Sequence, residues 1–463
     1  MILILTHVHR CQGRYIYMCF IFKEVTLSSS IPTNFELPVD RHVLSNGLRI
    51  LLHKDSSSPV VCVAVYYHVG MRSEPKGRTG FAHLFEHLMF QGSQQLGKME
   101  LVSQVQSVGG TLNGSTRFDF TNYWEVVPSH ALELVLWMEA DRMRGPNITE
   151  TELANQRDVV KNEIKVNVLN RPYGTFPWLD VQEHAFDNWH NNHNGYGDMV
   201  DLDAADLQDV EEFFYRYYSP RNAVLCIAGD FETEEALGYA EKYFADIPAQ
   251  ELPVPVDISE SQQFQERNIH KIDKMASRPA LAVAYRTPER GTKEFYALGL
   301  LNSILTVGDD SLLRQRLVRQ KGYTSSVSGS MNFLGHMHNA ETPLVHTTSL
   351  IHDQDVSPDQ ILDDMDEVIA SLKSDDFDED LLVRAKTKVR SGLYGLLSGS
   401  GYPRFGVADL LSSFELLEGN AENASDIPRR FDEVSADDLV RTASNYLVPE
   451  NRTIIRLEAG VSP

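Results

Sequence analysis

Basic charge is in short supply in this sequence. Against 65 acidic residues it carries 42 Lys and Arg, a formal net charge of −23. A phosphate backbone would be repelled over most of such a surface, so nucleic acid is not expected as a partner. Cysteine is scarce too. Cys11, Cys19, Cys62 and Cys226 form no CxxC pair and offer neither a disulfide framework nor a zinc-ribbon spacing. Long apolar runs are also missing: Tyr15 to Phe22 and Pro59 to Tyr67 fall well short of the roughly 20 residues that cross a bilayer, so no membrane span is expected. The first 30 residues hold Arg10, Arg14 and Lys23 among broken apolar patches without a clean cleavage site, which argues against a secretory signal. Residues 1–34 are expected to be a disordered extension or to precede the true start, and the compartment, cytoplasmic or periplasmic, is left open.

What is present is a long, ordinary globular composition. With 463 residues, 42% of them hydrophobic, the chain can bury two or three cores. From Phe35 the pattern becomes regular. Asn46-Gly47 between two apolar alternations signals a hairpin, and "PVVCVAVYYHVG" reads as a buried strand. Helical and strand periods then alternate in an α+β manner up to a proline-rich, aperiodic stretch. The expected division is an extension, 1–34; a first domain, 35–248; a linker, 249–268; and a second domain, 269–463. "RPALAVAYRTP" echoes the strand at Val60, "FYALGLLNSILTVG" takes the place of the helix after it, and "FDEDLLVRAKTKVRSGL" resembles "ITETELANQRDVVKNEI" in pattern. Two similar α/β sandwiches are therefore expected, each a mixed or antiparallel sheet with helices packed on it.

The stretch "GFAHLFEHLMFQGS" concentrates the chemistry. On a helix, His83 and His87 lie one turn apart on one face and can aim two imidazole nitrogens at one point. Glu86 lies beside that point, where a carboxylate can take a proton from metal-bound water. His-x-x-Glu-His is the inverzincin order, although a pair of satisfied core histidines gives the same letters. A catalytic zinc needs a third protein ligand. Glu163 in "ELANQRDVVKNEIKVN", beside the apolar stripe of Leu153, Val160 and Ile164, can supply it.

"HLFEH" followed by Glu163, together with "NGLRILLHKD", "GGTLNGSTRFDFTNYWEVVP", "NQRDVVKNE", "RPYG" and "YYSPRNAVLCIAGDF" in that order, resembles the pitrilysin/insulysin family of zinc metallopeptidases. The likeness is to its short bacterial and mitochondrial-processing-peptidase-like members. It implies a clamshell of two homologous domains and one zinc per chain held by His83, His87 and Glu163. It also implies endopeptidase activity on short or unfolded peptides, with Glu86 as general base. The strand from Thr111 to Val127 would pair with an extended peptide, with Asn113, Thr116 and Thr121 as candidate substrate contacts. Two departures stand out. Gln156 replaces a glutamate common in relatives, keeping a hydrogen-bonding group behind the ligands but not the charge. An Arg and Tyr seven apart that hold substrate in many relatives are replaced by Val318 and Ser325, while Arg316 and Tyr323 keep that spacing in a shifted register. A heterodimer is therefore expected, a catalytically silent homologue supplying the pair, with a homodimer the weaker option. The rival class is a silent scaffold subunit of the same fold. The clusters His184, His190, His193 and His336, His338, His346 fit no ligand spacing and are expected to be solvated.

Overall fold

The computed structural model describes residues 35–374 and 376–460, together with two short strands, Arg10–Cys11 and Arg14–Tyr15, that pair with each other. The rest of the expected extension, 1–34, lies outside the described residues. The chain divides into two compact units, Met1–Glu36 and Leu37–Pro463, and both large sheets belong to the second.

That unit opens with the expected hairpin, β1 (Asp40–Val43) and β2 (Arg49–Lys54). Its turn works because Gly47 takes φ 87°, open to glycine at little cost, and because the Asn46 side chain accepts the Leu48 N–H at 3.2 Å. With β3 (Val60–Tyr67), β4 (Thr111–Thr116), β5 (Thr121–Pro128) and β6 (Ala223–Gly229) it forms a six-stranded sheet in the order β1-β2-β6-β3-β5-β4. Only β2 and β6 run parallel. The second sheet comprises β7 (Arg267–Asp273), β8 (Ala280–Arg286), β9 (Ser328–Ser330), β10 (Val345–Ile351) and β11 (Arg452–Ala459), in the order β9-β10-β8-β11-β7. Here only β7 and β11 run parallel. Strand for strand, β7 takes the place of β2, β11 of β6, β8 of β3, β10 of β5 and β9 of β4. The fold is the expected α+β pair of similar sandwiches.

The helices that matter to the site are α1 (Phe81–Leu88), α2 (Glu150–Ile164) and α3 (Trp178–Ala185) from the first half. From the second half come α4 (Lys293–Thr306), α5 (Glu379–Leu397) and α6 (Phe405–Glu418). The halves exchange covering layers. α6 lies on β3 and β6, where the Tyr66 hydroxyl donates to Asp409 at 2.6 Å. In return α3 lies on β8 and β11, where Val181 and Ala185 join Ala282, Ala284 and Ile455 in one core. With both faces covered, β3 and β8 read as continuous apolar runs rather than alternations. Arg72, 2% exposed, adds a polar tie: it donates to Asp119 at 3.1 Å, to the Glu341 carbonyl at 3.0 Å and to the Pro343 carbonyl.

Residues 248–266 hold no strand or helix. They are nevertheless bonded in place, since Asn188 donates to the carbonyls of Asp257 and Ser259, and Asn191 to that of Ile258. Among the described residues, no helix is long and apolar enough to cross a membrane.

Candidate metal centre

Helix α1 is built on two stripes. Phe81, Leu84, Phe85 and Leu88 are buried in the first core, and His83, Glu86 and His87 form the neighbouring face. Gly80 precedes the helix at φ 80°, where an added Cβ would stand 2.5 Å from the Gly197 Cα, so only glycine fits. Gly80 has no side chain to cap the helix. Glu74 does so from six residues upstream: its buried carboxylate accepts the N–H groups of Gly80 at 2.8 Å and Ala82 at 2.9 Å, and lies 3.1 Å from His193 Nε2. Burial raises the pKa of Glu74. Burial opposes the charge of His193, but the bond to Glu74, the Glu74 charge and backbone bonds to Trp189 and Met71 together raise its pKa.

α2 packs against α1. Thr149 caps it, accepting the Glu152 N–H, and Leu153, Gln156, Val160 and Ile164 turn inward, which leaves Glu163 at the groove between the helices. His83 Nε2 and His87 Nε2 stand 3.3 Å apart, His87 Nε2 lies 3.3 Å from Glu163 Oε2, and His83 Nε2 lies 3.7 Å from Glu163 Oε1. Donors on one tetrahedral zinc are separated by about 3.3 Å, given bonds of about 2.0–2.1 Å. The 3.3 Å separations of His83 Nε2 from His87 Nε2 and of His87 Nε2 from Glu163 Oε2, with two imidazoles and one carboxylate as donors, therefore fit such an ion. Among the described residues these three form the only His/Cys/Asp/Glu group of this kind. The protonation states suit ligation as well. Burial lowers the pKa of His83, keeping it neutral. The contact with His87 and the hydroxyl of Tyr196 outweigh partial burial and hold Glu163 at about 2.

Glu86 is half-buried at the mouth of a cleft of about 500 Å³ that His87, Asn113 and Gln156 also line. Thr116 Oγ1 donates to Glu86 Oε2 at 2.7 Å. Gly114 of β4 lets α1 come close, since a Cβ there would sit 3.1 Å from Glu86 Cγ. β4 is the outermost strand of its sheet, paired through β5 alone. Asn113 lies on the cleft wall and its side-chain oxygen accepts the Gly114 N–H.

Several expectations need correcting. Thr121 is fully buried and donates to the Val69 carbonyl, so it offers no surface to a peptide. Arg316 and Tyr323, which share only the spacing of the substrate pair and were not expected to hold substrate, both bind Asp364, at 2.6 and 2.8 Å. Three of the six histidines expected to be solvated are buried instead, and His184, His190 and His336 are half-buried. His193, His338 and His346 are 8%, 6% and 1% exposed, and His336 lies 3.0 Å from Asp409. Tyr196 was missed altogether. It lies in a Gly/Asn-rich loop, and the only local signal was an aromatic ring between two glycines, Gly195 and Gly197.

Residues 49–175 match the family model described as "Insulinase (Peptidase family M16)", and residues 204–389 match that of the "Peptidase M16 inactive domain". The chain belongs to the M16 peptidase family. It is 26% identical over 443 residues to the zinc protease PqqE of Helicobacter pylori, covering 94% of this chain and 96% of that protein. It is 23% identical to the mitochondrial-processing peptidase subunit beta of Saccharomyces cerevisiae, over 50% of this chain and 48% of that one. The crystal structure of a protease from Helicobacter pylori superposes with a TM-score of 0.84 at 24% identity, covering 92% of this chain and all of that one, and shares the two-sandwich clamshell fold. The inactive-domain match falls mostly on the half in which the described residues form no donor triad.

Proposed function

We propose that this chain is a zinc-dependent endopeptidase acting on short or unfolded peptides, with residues 35–248 as the metal-binding domain and 269–463 as a homologous domain without metal. The observation that carries the reading is the convergence of His83, His87 and Glu163 at tetrahedral spacing with Glu86 beside them. Zinc held by those three would supply a Lewis acid for the scissile carbonyl and the attacking water. Glu86 accepts the proton of that water and returns it to the departing amine. Thr116 fixes one Glu86 oxygen and leaves the other for the proton. The open edge of β4, with Asn113 on it, takes the peptide as an added strand, so main-chain bonds supply much of the affinity and sequence preference is loose. Gln156, buried on the cleft wall, stands behind the ligands without the charge of a carboxylate.

The need for a partner arises in the second half of the chain. Val318 and Ser325 cannot grip a substrate carbonyl as an Arg and a Tyr would, and Arg316 and Tyr323 are held by Asp364. A homologous subunit supplying that pair completes the site, in keeping with a relative whose name makes it one subunit of a processing peptidase. Metal analysis and hydrolysis of a quenched peptide, before and after chelation, test the reading. Glu86→Gln is expected to keep the metal and to lose about 10²–10⁴-fold in kcat/KM. Unchanged turnover removes Glu86 from its role, and a zinc-loaded wild-type complex without hydrolysis favours the silent scaffold.

A further inference from the structure

Tyr196 meets the donor triad in three ways. Its ring stacks on His83, centroids 4.8 Å apart and planes 15° from parallel. Its carbonyl oxygen lies 3.3 Å from His83 Nδ1, so the proton of the neutral imidazole sits on that nitrogen and the Nε2 lone pair faces His87. Its hydroxyl donates to Glu163 Oε1. The direction of that last bond is set from behind, because Asn167 Nδ2 donates to the same hydroxyl at 3.2 Å and leaves the O–H for the carboxylate. Trp178 closes the outer side, edge-on at 5.5 Å.

The loop carrying Tyr196 is tied to the start of α1. Asp198 N–H donates to Thr79 Oγ1 at 3.0 Å, Gly197 lies against Gly80, and His193 reaches the Glu74 carboxylate that caps the helix. One residue therefore touches ligands on two helices, from a loop fastened to one of them.

We infer that Tyr196 is a positioning residue for the metal: its hydroxyl reserves Glu163 Oε1 and leaves Oε2 as the single carboxylate donor, while its ring and carbonyl fix the rotation and tautomer of His83. The inference rests on His83, His87 and Glu163 being the ligands. Partners of this kind are worth about 10–100-fold in metal affinity.

The test uses the full chain as purified, with its partner where one co-purifies. Zinc affinity is measured by chelator competition, and the visible spectrum of the cobalt-substituted protein reports ligand geometry. Tyr196→Phe keeps the ring and carbonyl. It is expected to weaken zinc about 10–100-fold, to change the cobalt spectrum as Glu163 becomes free to use both oxygens, and to leave the melting temperature of the metal-free protein unchanged. Tyr196→Leu is expected to weaken zinc further. If the wild type binds about one zinc tightly and Tyr196→Phe binds it equally, with an unaltered cobalt spectrum, the inference is overturned while the ligand assignment stands. If the wild type binds no zinc, the proposed function fails first. Should Tyr196→Leu not fold, Tyr196→Phe alone decides.

Discussion

Helices α1 and α4 occupy equivalent places, each following the central strand of its sandwich, β3 or β8, yet they do opposite things with the same position. α4 is buried along nearly its whole length, from Phe295 to Thr306. α1 is also mostly buried, but it leaves Glu86 and His87 partly open to a cleft. Their partner helices differ in the matching way. Counted from the caps Thr149 and Asp378, the place of Glu163 on α2 is taken on α5 by Gly392, and that of Gln156 by Ala385. The second sandwich still keeps a cleft there, about 340 Å³, lined by Asn302 and Ser303 of α4, Gly329 of β9, and Lys388 and Gly392 of α5. Strand order and cleft are thus properties of the repeat, whereas among the described residues the donor triad His83, His87 and Glu163 lies in the first copy alone.

The sharpest way to break that contrast is to move the carboxylate. Glu163→Gln removes an anionic donor from a triad whose spacing is otherwise intact, and zinc retention is expected to fall by at least about 100-fold, more than the loss of an outer partner would cost. Gly392→Glu places a carboxylate at the corresponding site of the second sandwich, and no second zinc is expected, because α4 offers it no imidazole. Metal analysis after gel filtration reads both. Two equivalents in Gly392→Glu, or full occupancy in Glu163→Gln, would show that the two clefts differ by less than their sequences suggest.

The histidines sharpen the same contrast through pH. His346 on β10 is buried in the second sandwich with neither ring nitrogen bonded, and burial pushes its pKa down to about 4. An unfolded histidine near 6.5 binds a proton that the folded one refuses, so between pH 6.5 and pH 4 the unfolded state holds more protons and stability falls as pH falls. From pH 7 to pH 5 this amounts to about 2 kcal/mol. Denaturant unfolding of His346→Leu at both values is expected to show a drop smaller by about that amount. An identical drop in the variant would mean that His346 takes up its proton without unfolding.

How much of this was legible in the sequence depended on range. Asn46-Gly47, the buried strand at Val60 and the face of α1 are local patterns, and the helix and strand periods expose them directly. Glu163 was visible as a residue beside an apolar stripe, but only a resemblance joined it to His83 and His87, because nothing local states that α2 crosses α1. The exchange of α3 and α6 between sandwiches left one trace, the continuous apolar character of β3 and β8, and that trace does not say which helix does the covering. The Gly/Asn-rich stretches around His193 and His338 looked like solvent-facing loops. His193 and His338 are buried instead by partners distant in sequence: His193 meets Glu74, and His338 packs on Tyr296, Phe414 and Phe431. Thr121 failed for a simpler reason: strand alternation gives a face, but here both faces are covered.

Thr116 is the finest point at which the two edge strands differ. It was expected to touch substrate, but it is 8% exposed and spends its hydroxyl on Glu86 Oε2 at 2.7 Å and, more distantly, on the Ala82 carbonyl at 3.4 Å. The second sandwich has no counterpart, since β9 ends at Ser330, whose hydroxyl donates to the Asn332 carbonyl. A hydrogen bond to a charged group contributes roughly 1.5–3 kcal/mol, part of which is orientation of the base. Thr116→Val, close in shape but without a donor, is therefore expected to lower kcat about tenfold, each tenfold being about 1.4 kcal/mol, with KM and zinc content unchanged. Thr116→Ser is expected to restore most of the rate. Were Thr116 a peptide contact instead, the valine variant would raise KM and spare kcat, so the split between the two constants decides whether this threonine serves the base or the substrate.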